Sequence, residues 1–476
     1  IKKFIKITSF LDYVIYFTLI FTSQVILLEL ALGILGILSL RNVFIANIFI
    51  LVLVFLVPKA KNSNSAASVN FPISSEGFKL GKLEYFCLSV LIGFGLVKVF
   101  INLVNPPFGW DNLNYHFTFP VEWIRSGSLD NPIVVSDDPA PSFYPINASL
   151  IFLWLMLPLK SVFIADLGSL PFYLLCGVLV YKIGCIILPE KRYAFFASLL
   201  FLLIPNIFKQ IEIAYIDIIV CAFYLAAFYF ILRLHREFKV LDVVMAGTSL
   251  GLLIGTKSLA LVYGITLLLP LFFIIFRLKA KGLQIFVLVI SLIIIFGGYS
   301  YIKNFILTGN PLYPIDVVIG GKMLFKGVID KASYGAHFTP GDYNLIKILY
   351  HEGLGAQSTL FVIPGLILGF PLLFLKGKAR PRFLDYYFAL IPLILFLIWR
   401  FIIPLANVRY LSPLLAVSIL YGFNIFMRFV PRKITLFLIF VCTMASISEF
   451  SKHAELIVSL ILSVALFFVL LKVRIK

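Results

Sequence analysis

The chain has 476 residues, 61% of them hydrophobic and 13% charged, with a mean hydropathy of +1.06. Soluble domains carry about 25% charged residues, so these figures exclude an ordinary soluble enzyme, a disordered chain and a disulfide scaffold. The apolar runs are continuous over helix-length stretches rather than alternating, which excludes an outer-membrane barrel and leaves an all-α polytopic membrane protein. The formal net charge of +18 fits basic loops gathered on one membrane face, and no basic helix or zinc spacing supports nucleic-acid binding. Five cysteines without paired spacing read as small apolar packing residues, with neither a disulfide framework nor a metal site.

In chain order, the sequence offers about fourteen spanning candidates, most of roughly 15–25 residues. The first run, Leu11–Leu40, is too long for one upright helix, and Gln24 and Glu29 blur its frame. Phe44–Val57 and Leu83–Val104 follow. After them come Val162–Leu188, Tyr193–Ile204, Ile216–Leu234, Leu241–Gly255, Ser258–Phe276 and Leu283–Tyr301. The last five are Leu360–Leu375, Leu384–Trp399, Tyr410–Met427, Ile434–Ser448 and Leu456–Leu471. Ala148–Leu157 is apolar but short, and is expected to lie at or dip into the outer interface. The Lys61–Ser75 stretch, rich in Ser and Asn, reads as a flexible linker.

Basic clusters at the N-terminus, Lys59–Lys82, Lys191–Arg192, Arg236–Lys239, Arg277–Lys281, Lys376–Arg382, Arg428–Lys433 and the C-terminus all fall on one face with these spans. That face is assigned as cytoplasmic, with both termini on it. The first run continues too long, and lacks the small-residue cleavage site, for a removable signal peptide. Two long loops lie on the opposite face, at about 105–147 and 302–357. The first carries Asp111, Glu122, Asp130, Asp137 and Asp138 against Arg125 alone, an acidic segment in a basic protein. Long loops of this kind are more often functional than decorative. The whole chain reads as one transmembrane domain.

The first outer loop opens Pro106-Pro-Phe-Gly-Trp-Asp-Asn-Leu-Asn-Tyr-His116, immediately after a span. Asp111 can act there as general base or metal ligand at the mouth of a cavity. The structural alternative is a helix N-cap beside aromatic interface anchors in Phe117–Trp123. On a helix, Asp111 and Tyr115 would share a face. Trp110-Asp-Asn-Leu-Asn-Tyr-His116, with Pro120, Trp123 and Gly127, resembles the first outer loop of the GT-C glycosyltransferases. These polytopic enzymes take a sugar from a polyprenyl-phosphate carrier. They include protein O-mannosyltransferases, aminoarabinose transferases of lipid A and galacturonosyl transferases of lipopolysaccharide core. The resemblance implies that Asp111 is the catalytic carboxylate.

Further segments carry the resemblance in order along the chain: Tyr144-Pro-Ile-Asn147, Ala214-Tyr-Ile-Asp217, Gly251–Lys257, Lys303–Pro314 and Asn407-Val-Arg-Tyr410. It implies a GT-C-like bundle of about 12–14 transmembrane helices, but chooses neither sugar nor acceptor. Lys257, Arg400 and Arg409 stand at outer span ends. Each can hold a donor phosphate, Lys as a point charge and Arg through two oxygens at once. The alternative is snorkelling to headgroups. Asp217 reads as a second carboxylate or as an N-cap. Tyr115, His116, Tyr144 and Tyr410 are expected to shape the substrate pocket. Lys209 and Glu212 read as a local pair.

Asp137-Asp138 reads better as a solvated turn than as a cation site, and His116, His337 and His351 share no zinc spacing. Gly320-Gly321-Lys322 lacks the spacing and context of a phosphate loop. The resulting expectation is a glycosyltransferase of the bacterial inner membrane. It would move a sugar from a polyprenyl-phosphate donor to a lipid or glycan acceptor on the extracytoplasmic face. No cofactor is required, although a divalent metal is compatible with the acidic residues. A lipid-linked glycan flippase and a polysaccharide polymerase or ligase are the alternatives. A flippase would call for charges deep within spans and for paired halves.

Overall fold

The structure is a computed structural model and describes residues 9–56, 79–132, 140–213, 215–328, 353–375, 381–403, 407–450 and 454–475. Among these residues, eight helices are long and apolar enough to cross a membrane. They include α1 (Phe10–Ile34), α3 (Lys82–Val104), α6 (Leu170–Ile187) and α9 (Asp217–Arg236). The others are α15 (Phe383–Leu397), α16 (Ser412–Phe429), α17 (Arg432–Phe450) and α18 (Ala454–Ile475).

Two further pairs of apolar helices are bent. The helix α7 (Lys191–Leu202) continues past a 67° break through α8 (Pro205–Phe208), and α12 (Ala280–Gly297) meets α13 (Tyr299–Thr308) at 72°. The shorter apolar helices include α2 (Leu40–Leu56), α10 (Val240–Ile254) and α11 (Ala260–Phe276). The remaining helices are α4 (Thr118–Ser126), α5 (Asn147–Met156) and α14 (Gly355–Leu368).

The core is apolar and contiguous from α1 to α17. At its centre stand α9 and α16, whose spanning windows are 89% and 94% buried, respectively. Both are hydrophobic all round, as buried helices are. Glycine lets neighbouring backbones touch. A Cβ on Gly297 would lie 2.4 Å from the Gly251 carbonyl, so α10 and α12 meet backbone to backbone. Gly365 and Gly422 do the same for α14 and α16. This small-residue packing is how membrane helices associate without a hydrophobic drive between them. Helices α2, α12 and α18 present rows of exposed apolar side chains, the expected lipid face.

The basic clusters that lie among the described residues share one end of the bundle. Arg236 donates to the Ile186 carbonyl, Arg382 to the His235 carbonyl, and Arg192 pairs with Glu84. The short helix α5 packs inside the protein against α1 and α4, with Ala148, Leu150, Phe152 and Leu153 fully buried. One expectation needs correction. The aromatic residues Phe117, Phe119 and Trp123 are also buried inside the protein. Trp123 is held there by a 2.9 Å bond from its indole to the Asp130 carbonyl. Among the described residues of that loop, the exposed large apolar side chains are Phe108, Trp110 and Leu113.

Candidate active site

Opposite the basic end, the N-termini of α9 and α16 meet the first outer loop. Directly after α3 the chain turns through Gly109, whose φ of +107° favours glycine. It then enters a short π-helical turn, Asn112–His116. Wide turns of this type re-aim side chains and recur at functional sites. Asp111 has helical backbone angles and makes no capping bond. Its carboxylate instead reaches Arg409, 2.8 Å away. The turn is braced from behind, where the buried Asn112 amide donates to the Phe108 carbonyl at 3.2 Å and approaches Asp166 at 3.5 Å.

Arg409 is delivered by the turn that starts α16. The Asn407 side chain accepts from the Arg409 backbone N–H at 3.1 Å, and Ser412 donates to the Arg409 carbonyl at 2.8 Å. Tyr263 of α11 donates to the Tyr410 carbonyl at 2.8 Å, fixing the turn laterally. From this position Arg409 bridges two acids. Its Nη2 pairs with Asp111, and its Nε lies 3.3 Å from Asp217 Oδ2. Its guanidinium also covers the Tyr215 ring at 4.4 Å, a cation–π contact.

Asp217 is the first residue of α9, and only 3% of its side chain is exposed. Its other oxygen takes Lys257 at 2.7 Å. Lys257 follows α10, whose end is fixed by Asn147. That side chain donates to the Phe296 carbonyl at 2.7 Å, while its backbone N–H bonds the Gly255 carbonyl at 3.0 Å. Gly255 leaves room for this contact, since a Cβ there would fall 2.2 Å from the Asn147 amide. The Lys257 ammonium also rests 4.2 Å from the Tyr410 ring centre.

Two acids and two bases from four separate stretches of sequence therefore form one neutral cluster. Aromatic residues wall it. Tyr115 meets Tyr144 edge to face at 5.7 Å and His116 at 4.3 Å. Burial, reinforced by the Asp111 carboxylate, holds the Tyr115 phenol well above its usual range and so protonated. His116 is buried, with Nδ1 3.2 Å from the Ser149 hydroxyl and Nε2 without a partner. Burial, then the Lys257 cation, pushes its imidazole down to about 3, with Asp217 opposing. It is neutral at physiological pH.

Asp111, Asp217, Lys257, Arg409 and Tyr410 are thus brought together, with Tyr115, His116 and Tyr144 along the first loop beside them. Arg400 is not brought in. It is exposed, lies over the ring of its neighbour Phe401 at 5.8 Å, and has no ion pair among the described residues. Glu212 pairs with Lys98 at 2.5 Å rather than with Lys209. Lys98 also holds Glu455 at 2.8 Å, tying α18 to the loop that precedes Asp217. Asp137, Asp138, His337 and His351 lie outside the described residues. Among the described residues no three His, Cys, Asp or Glu side chains converge as a metal site.

The reading of the sequence gave no role to Tyr215 or Ser149. Tyr215 stands two residues before Asp217 in a segment already singled out, whereas nothing local marks Ser149. Glu29 is fully buried with both oxygens unpartnered, although the sequence marks it only as a break in an apolar run.

Residues 145–299 match the family model for dolichyl-phosphate-mannose-protein mannosyltransferase, a segment that includes Asp217 and Lys257. No curated protein sequence matches the chain. The crystal structure of ArnT from Cupriavidus metallidurans bound to undecaprenyl phosphate aligns with a TM-score of 0.50 at 13% identity. The alignment covers 80% of this chain and 76% of that one. The apo form of the same protein aligns with a TM-score of 0.47 at 14% identity, over 73% of this chain and 61% of that one. About a third of the chain thus matches that family model, on a helical membrane fold similar to that of ArnT.

Proposed function

We propose that the cluster of Asp111, Asp217, Lys257 and Arg409 is the active site for sugar transfer from a polyprenyl-phosphate donor to a hydroxyl of an envelope lipid or glycan. The observation that carries this reading is the Arg409 bridge. One guanidinium holds Asp111 from the first outer loop and Asp217 from α9, with Lys257 on the far oxygen of Asp217. Such a neutral cluster can exchange partners. A donor phosphate offers oxygens to Arg409 and Lys257 in place of the two carboxylates, and Asp111 is then free to face the acceptor.

Asp111 takes the proton of the attacking hydroxyl as its oxygen bonds to the anomeric carbon. The bond from that carbon to the phosphate oxygen breaks, and the departing phosphate gains one negative charge. Lys257 and Arg409 neutralise that charge. The proton remains on Asp111 until solvent removes it. A single displacement inverts the anomeric configuration. A divalent ion is compatible with the site, but the two cations already supply the charge the leaving group needs. The basic end of the bundle would face the cytoplasm, with both termini on that side, and the site would open on the extracytoplasmic face of a bacterial inner membrane.

The test is transfer from a panel of radiolabelled polyprenyl-phosphate sugars by purified protein in lipid, beside Asp111→Asn. Loss of transfer in the folded variant, with an inverted product from the wild type, supports the reading. Retained configuration, or full activity in the variant, sinks the role given to Asp111. Activity on pyrophosphate-linked oligosaccharides alone favours a polymerase or ligase.

A further inference from the structure

Beyond the cluster, we infer that α13 and the hairpin after it form a lipid-docking paddle, seated in the headgroup and upper acyl region of the leaflet beside the first outer loop. The hairpin joins β1 (Val317–Ile319) to β2 (Lys322–Phe325), antiparallel, with Ile319 opposite Lys322. Gly320 and Gly321 form its turn, at φ of +57° and +78°. This is the paired left-handed geometry of tight hairpins, and it accounts for the Gly-Gly-Lys sequence without a phosphate. Val318, Ile319, Met323, Leu324 and Val328 are each more than half exposed. Apolar side chains thus stand open on both faces of a two-stranded ribbon, an arrangement that is marginal in water.

The adjoining helix has the same character. Ile302, Phe305 and Ile306, spaced along one face of α13, are exposed, while Ser300 and Asn304 on the other face are buried. On α12, Val287, Ile294 and Ile295 are likewise bare. A short helix bent 72° from an apolar helix, with one face apolar and exposed, fits a place along the membrane surface rather than through it. Exposed Lys322 and Lys326 add the positive charge that anionic headgroups attract.

The paddle is mounted rigidly. The Asn310 amide donates to the Ile315 and Lys326 carbonyls at 2.9 and 3.2 Å, and Phe325 meets Phe305 edge to face at 6.5 Å. Its polar side holds the first outer loop at two points. Lys303 donates to the Leu129 carbonyl at 2.6 Å, and Asn304 to the Phe143 carbonyl at 2.9 Å. Phe143 adjoins Tyr144, so the depth at which the paddle rests sets the height of the aromatic wall above the bilayer.

The surface stands apart from the proposed reaction, and its test needs no substrate. A nitroxide is placed at Ile319→Cys or Met323→Cys, with Cys185→Ser removing the half-exposed native thiol, in nanodiscs containing anionic phosphatidylglycerol. The expected result is an accessibility ratio, dissolved oxygen over a water-soluble nickel chelate, several-fold higher than for a label at exposed Ser126→Cys. A ratio equal to that of Ser126→Cys overturns the inference, because the ribbon then stands in water. Protection from both relaxants, with spin coupling lost on dilution by unlabelled protein, also overturns it and gives the surface to a second copy of the chain.

Discussion

Each end of the helical bundle holds a buried network of two acids and two bases, and the two networks are built differently. At the basic end, Asp12, Asp242, Lys182 and Arg233 are joined through tyrosine hydroxyls. Tyr229 donates to Asp12 at 2.8 Å, Arg233 reaches both Tyr229 and Asp242, and Tyr16 approaches Asp242 at 3.4 Å. Lys182 closes the chain on Asp12 at 3.1 Å. All these residues project from helices, α1, α6, α9 and α10. At the opposite end Arg409 lies over the Tyr215 ring and Lys257 over the Tyr410 ring, and the charges sit on helix ends and a loop turn. Asp217 Oδ2, Arg409 Nε and His116 Nε2 make no aligned hydrogen bond there. The first network leaves no fully buried polar atom without a partner and fastens four helices. The second is balanced in charge but leaves donors and acceptors unspent, as a site that trades partners with a substrate requires.

The sharpest break of that contrast is Asp111→Asn. The amide keeps the shape but cannot take a proton, so kcat should fall by about 10²–10⁴, the range of a lost general base. Thermal unfolding followed by intrinsic fluorescence should move little. At the basic end the reverse is expected. Arg233→Met leaves Asp242, with 2% of its side chain exposed, without its cation. Breaking a buried pair from one side costs about 3–5 kcal/mol. Stability should drop by that order while kcat per folded molecule holds. Adding Asp242→Asn should recover much of the loss, because the stranded charge is gone. If Arg233→Met lowered kcat and spared stability, the two ends would not divide the labour as described.

A smaller effect separates bridging from mere charge. Arg409→Lys keeps one positive charge but not the planar fork that spans Asp111 and Asp217. The KM for the donor should rise roughly tenfold, about 1.4 kcal/mol, with only a slight change in stability. A lysine variant with unchanged KM would show that the bridge is not used in donor binding.

The spans and the residues of the outer cluster were readable from the sequence, the network at the basic end was not, and the failures have physical causes. Spans follow from apolar length, so Leu384–Trp399 and Ile216–Leu234 map closely onto α15 and α9. Leu283–Tyr301 reads as one run because hydropathy is continuous across the bend. The break at Gly297 and Gly298 is a backbone event that composition does not register. Asp111, Asp217, Lys257 and Arg409 were legible as polar residues at span ends in segments resembling a known family. Arg400 carried the same signal, and only the helix rotation turns it outward. Aromatic content likewise cannot say which way a ring faces, so Phe119 and Trp123 read as interface anchors yet fill the core. The Lys98 pair of Glu212 joins residues far apart in the chain, where local spacing offered Lys209 instead.

The subtlest difference between the two ends lies in their response to acid. His116 borders the cluster as a neutral imidazole whose folded pKa, about 3, lies far below the roughly 6.5 of an unfolded histidine. Between those values the unfolded chain binds a proton that the folded chain refuses. Folding stability therefore rises with pH across that window and falls as the medium is acidified, with no further loss below about 3. His116→Gln removes this term while keeping an amide beside Ser149. Unfolding temperatures measured from pH 7 to pH 4 should decline less steeply in the variant than in the wild type. The wild-type rate profile should show no inflection from His116 between pH 5 and 8, because the ring does not titrate there. Parallel stability curves in the two proteins would mean that His116 takes up its proton in the folded state, and the cluster would then gain a positive charge on acidification instead of remaining balanced.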